Sequence, residues 1–121
     1  MKNSKMLPML IRAAGLIQLI LGVMVWAGKI EVLTLIHILI GSILTIALLM
    51  LVYQAYRAKV SQGFVILAVV WALLLPVWGL AQDKIFQASF LWIAQILHVL
   101  CGLGAIGIAE MLGARMRKMT A

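Results

Sequence analysis

The residues of this chain best suited to chemistry are its two histidines, His37 and His98, each set inside a long apolar run. An ionisable side chain at membrane depth is rare and usually faces the interior of a bundle, so both are functional candidates. Imidazole is a good ligand for haem iron, and two imidazoles on facing helices give six-coordinate, b-type ligation. Each histidine is followed four residues later by a glycine, Gly41 and Gly102, on the same helical face. A bulky side chain there would block a flat ligand. Thr34 and Gln95 each precede a histidine by three residues and are candidate hydrogen-bond partners that fix the rings. The expectation is one haem b per chain, with His37 and His98 as its iron ligands. A second reading stays open: small residues at helical spacing also let membrane helices pack, and two histidines can hydrogen-bond across helices with no cofactor. Zinc wants three or four protein ligands. The one nearby addition is Cys101, three residues after His98, and a lone cysteine in an apolar run is usually a small buried hydrophobe.

The elements that position these residues follow from composition. Of 121 residues, 66% are hydrophobic and 11% charged, with a mean hydropathy of +1.20. Average globular chains carry about twice that share of charge, so lipid is the expected solvent. Four apolar spans stand out, at about 7–27, 31–56, 63–81 and 89–112. Each is near or above the roughly 20 residues that a helix needs to cross a ~30 Å hydrocarbon core. Open strands are excluded because lipid leaves their backbone groups unpaired. The connections Gly28-Lys29-Ile30, Arg57 to Gln62 and Gln82 to Ala88 are short, which favours an antiparallel up-down-up-down order. The predicted fold is one all-α membrane domain, a four-transmembrane-helix antiparallel bundle. The equal spacing of His37 to Gly41 and His98 to Gly102 suggests two repeated helical hairpins. His37 would then lie roughly 9 Å and His98 roughly 14 Å below the far ends of their helices, at 1.5 Å per residue.

A net charge of +7 is compatible with nucleic acid, but its distribution points to topology. Lys2, Lys5 and Arg12 open the chain, Arg57 and Lys59 sit at its middle, and Arg115, Arg117 and Lys118 close it. Four crossings put all three clusters on one side, which the positive-inside rule assigns to the cytoplasm. The expected location is therefore an inner (plasma) membrane of bacterial type, with both termini cytoplasmic and no nucleic-acid partner. Trp26, Trp78 and Trp92 fall near the opposite ends of their spans, as an outer interfacial belt would; Trp71 lies deeper. The first span follows positive charge as a signal peptide does, but Ala27-Gly28-Lys29 is a poor cleavage site, and it is kept as an anchor.

Other polar groups leave alternatives open. Arg12 and Glu110 lie near the cytoplasmic ends of their helices, where they either pair or snorkel separately. Gln18 shares a face with Gly15 and Gly22, suited to a macrocycle, a quinone or plain helix packing. Pro76 is expected to kink its helix. Met50 and Met111 are read as packing residues. No phosphate-binding or dinucleotide fingerprint is present, no catalytic triad is grouped, and the three acidic residues offer no central ion relay.

With His37 and His98 on spans two and four, the chain resembles the four-helix haem-binding core of membrane b-type cytochromes. In that family, histidines on the second and fourth helices clamp haem from two sides, and His37 and His98 match in helix number, direction and side. Quinol-oxidising members carry a second histidine about two heptads further along each helix. Leu51 and Leu112 stand fourteen residues on, and Met50 and Met111 thirteen on, so the resemblance implies that the inner haem is absent. Electron transfer is expected more than substrate turnover. The expected partners are lipid, further copies of the chain or a larger membrane complex, and a quinone or an outer-face redox protein. The alternative is a cofactor-free accessory or scaffold subunit of such a complex; a small-molecule carrier is a third reading.

Overall fold

The computed structural model describes residues 6–28, 31–85, 87 and 89–120, the side chains of Asp83 and Thr120 excepted. Long apolar stretches leave the backbone nothing to bond but itself, and a helix closes those bonds within one segment. Among the described residues four helices result: α1 (Met6–Gly28), α2 (Glu31–Arg57), α3 (Gln62–Ile85) and α4 (Leu91–Thr120). All four are long and apolar enough to span a membrane, and no more than 28% of each most apolar stretch is buried within the protein. Leu39, Val32 and Val77 remain more than 60% exposed, as lipid-facing side chains do. The chain is an all-α four-helix bundle with the architecture of a multi-pass membrane protein.

Local details serve the same solvent. Pro8 sits in the first turn of α1, where its missing N–H costs no helical bond. Ser42 and Thr45 donate to the carbonyls of Ile38 and Gly41 on their own helix, each at 2.9 Å. At the end of α2, Val60 N–H bonds Ala55 O at 3.0 Å and Lys59 N–H bonds Tyr56 O at 3.1 Å. That is a Schellman stop, with Lys59 at φ 63° where glycine is usual.

Three boundaries differ by more than one residue from those read in the sequence. α3 continues to Ile85, past Ala81, and runs on through Pro76. α4 starts at Leu91, after a turn at Ser89-Phe90, and extends to Thr120 instead of Leu112. Its 30 residues are about 45 Å long at 1.5 Å each, more than the hydrocarbon requires. Lys29, Ile30, Phe86 and Ala88, expected in the outer connections, fall outside the described residues.

The helices form a four-sided arrangement. α1 and α3 each touch α2 and α4 but not one another, while α2 and α4 meet across the short diagonal. The buried core lies toward the chain termini: Ile11, Leu48, Leu51 and Leu112 are its largest fully buried side chains. Buried hydrophobics end at Ala14 on α1, begin at Leu44 on α2, end at Leu75 on α3 and, Ala94 apart, begin at Ala105 on α4. The other half of the bundle, which holds both histidines, is packed less tightly.

Candidate functional site

The short diagonal between α2 and α4 brings His37 and His98 together, with ring centres 6.3 Å apart and planes at 69°. Both rings are half-buried. Two imidazoles on opposite sides of one metal ion, at about 2.0–2.1 Å per bond, place their ring centres roughly 6 Å apart. The separation therefore suits a shared metal. It also falls in the range of about 4.5–7 Å for edge-on ring pairs, so distance alone does not choose between them.

Glycines surround the pair. A Cβ at Gly22 of α1 would lie 3.4 Å from His37 Cε1, and one at Gly79 of α3 would lie 2.8 Å from His98 Cε1 and 3.1 Å from its Nε2. The first helix of each hairpin thus gives up a side chain where the second helix places its histidine. Gly41 is filled by Gln18, whose Nε2 would lie 2.8 Å from a Cβ there, whereas Gly102 has only Leu19, at 4.0 Å. α1 and α2 therefore interlock reciprocally, Gln18 into Gly41 and His37 onto Gly22. The role of Gly79 was not visible in the sequence. It follows from the register of α3 against α4, for which the only sequence signal is a glycine near the expected depth of His98.

Hydrogen bonding at the site is incomplete. His37 Nδ1, His98 Nδ1, Gln18 Oε1 and Gln82 Oε1 are buried without partners, and such groups cost about 1–3 kcal/mol each. Thr34 and Gln95, expected to fix the rings, do not bond either Nδ1. They share a face with the histidines, at half-buried positions one turn away.

Indoles tie α3 to α4 on both sides of the pair. Trp78 Nε1 donates to Ala94 O at 2.9 Å and Trp71 Nε1 to Cys101 O at 2.8 Å. Trp26 and Trp92 are exposed, as belt residues are. Trp78, expected in the same belt, turns inward because a carbonyl of α4 lies within reach. Gly104 admits the Trp71 ring, which would lie 2.6 Å from a Cβ there. Cys101 is half-buried and free, and no group of three metal-ligating side chains occurs among the described residues. Met50 and Met111 point outward, 52% and 48% exposed. Away from the site, Arg12 and Glu110 pair in a fork, Nε to Oε1 and Nη2 to Oε2, each at 2.9 Å, which joins α1 to α4.

What the arrangement offers chemically is two imidazole rings 6.3 Å apart, edge to face, with glycines against them. Comparison of the chain with family models, with curated proteins and with solved structures finds no match.

Proposed function

We propose that this chain is a small membrane cytochrome, holding one haem b between His37 and His98 and passing single electrons. The observation that carries the reading is the histidine pair, 6.3 Å apart across the short diagonal, in the half of the bundle without a closed apolar core. The residues fit the group on one further count: glycines flank both rings.

Haem would supply a one-electron iron couple, whose potential depends on ligand identity, hydrogen bonding and burial. His37 and His98 would hold the iron, and Gly102 would leave room for the ring system, whereas the space at Gly41 is taken by Gln18. The apolar faces around the pair exclude water. The positive-inside rule places the pair toward the outer face, with both termini in the cytoplasm of a plasma membrane. One haem at that level does not carry electrons across the bilayer alone. The partners are accordingly an outer-face redox protein or a quinone, and neighbouring copies or a larger complex. The distance between the rings also suits a metal-free aromatic pair, which supports the second reading, an accessory subunit without cofactor.

An absorption spectrum of protein purified in detergent from haem-replete cells separates the two. The cytochrome reading expects a Soret band and sharp reduced α and β bands. A colourless, well-folded preparation contradicts it and supports the accessory subunit.

A further inference from the structure

Away from the histidines, α2 carries a groove of about 450 Å³ lined by Ile46, Leu49, Met50, Tyr53 and Gln54. Ile46, Met50 and Gln54 follow one another at four-residue spacing, as do Leu49 and Tyr53, and the groove runs between these two ridges. Ile46, Met50 and Tyr53 are more than half exposed, so the groove faces outward. Its lining is apolar as far as Met50 and turns polar at Tyr53 and Gln54.

A fixed charge stands at the polar end. Arg57 closes α2 and donates through Nη1 to the Tyr53 hydroxyl at 3.2 Å, its guanidinium 6.0 Å from the centre of that ring. The lining thus leads from Ile46, by way of Tyr53, to a group that stays protonated. From Ile46 to Arg57 the helix rises roughly 16 Å at 1.5 Å per residue, about half of a ~30 Å hydrocarbon core. One leaflet has that depth. The charge at this end is also uncompensated. Of the three acids in the chain, Glu31 and Asp83 lie toward the other end of the bundle, and Glu110 is held by Arg12 in a two-bond fork. Lys59 follows Arg57 by two residues and adds to the positive field.

We propose that this groove is a binding site for one anionic phospholipid of the leaflet on the Arg57 side. The phosphate sits on Arg57, and an acyl chain lies between Ile46, Leu49 and Met50. Tyr53 and Gln54, one turn below Arg57, stand at the level of the glycerol esters, whose carbonyls the Gln54 amide can bond as a donor. A second copy of the chain fits this face less well, because a symmetric contact uses the same patch twice. It would set one Arg57 against another with no acid between them. The proposal is independent of the haem reading.

The test is native mass spectrometry of the full chain released from nanodiscs of equal phosphatidylglycerol and phosphatidylcholine. One phosphatidylglycerol should be retained per chain, in preference to phosphatidylcholine. Arg57→Gln should lower that retention about tenfold, as loss of a hydrogen bond between charged groups does. Met50→Trp, which fills the groove and leaves Arg57 in place, should lower it as well. Arg115→Gln removes a cation from the same end, one that lies over the Phe64 ring at 4.2 Å, and should leave retention unchanged. Circular dichroism of each variant should show unchanged helicity. Equal retention of the two lipids, equal losses in Arg57→Gln and Arg115→Gln, or full retention in Met50→Trp overturns the proposal. A lipid-free dimer that Met50→Trp dissociates would make a second copy the occupant and overturn it too.

Discussion

A methyl group added at Gly79 would meet His98 Cε1 at 2.8 Å and Nε2 at 3.1 Å, whereas one added at Gly63 meets nothing within 4 Å. Gly79→Ala should therefore displace the His98 ring and weaken haem retention, with helicity kept, while Gly63→Ala should leave retention unchanged. Haem titration of the two variants checks this, and equal retention would show that the contact does not hold the ring. Gly104→Ala tests packing in the same way without touching the histidines. Its Cβ would lie 2.6 Å from a Trp71 ring anchored to Cys101 O, and such overpacking costs about 1–3 kcal/mol, readable as a lower midpoint in denaturation. At this scale the sequence was informative about which two histidines come together and poor about their neighbours. His37 and His98 stood out because lipid makes ionisable groups rare, and Gly41 and Gly102 followed from spacing within one helix. The place of Gly79 depends on how α3 lies against α4, and no spacing within a helix reveals that.

Helix ends follow from chemistry that hydropathy sees only in part. Hydropathy ends the fourth span near Leu112 because charge follows, yet Ala, Arg, Met and Lys are strong helix formers, and α4 continues through them to Thr120. Ser89 was assigned to the same span but lies with Phe90 in a turn before Leu91. The stop of α2 uses Lys59 at φ 63°, a conformation that costs a non-glycine residue about 1–2 kcal/mol. Lys59→Gly should thus stabilise the bundle by up to about 1 kcal/mol, a gain that reversible unfolding in detergent can measure; a loss would mean that the Lys59 side chain matters more than its backbone. The halves of each helix should differ as well. Leu51 and Leu112 are fully buried, so truncating either to alanine should cost about 2–5 kcal/mol. Leu97, 43% exposed beside His98, should cost far less on the same truncation.

At the scale of the whole molecule, four spans and their antiparallel order were legible because lipid admits few alternatives to a helix. The unequal packing of the two halves was not legible, since both are equally apolar in sequence and differ only in which side chains meet. Sidedness is a matter of charge. Arg57, Lys59, Arg115 and Lys118 gather at the end of the bundle away from the histidines, and reporter fusions at either terminus should be active only in the cytoplasm; an external terminus would invert the site. The central claim, that the paired histidines hold haem, is tested most directly by counting haem per chain in purified wild-type protein and in His37→Ala and His98→Ala, with Met50→Ala as a control. The expected result is one haem per chain in the wild type and in Met50→Ala, and loss of the bis-histidine spectrum in each histidine variant. Haem retained unchanged without either histidine, or never bound by well-folded wild-type protein, would contradict it.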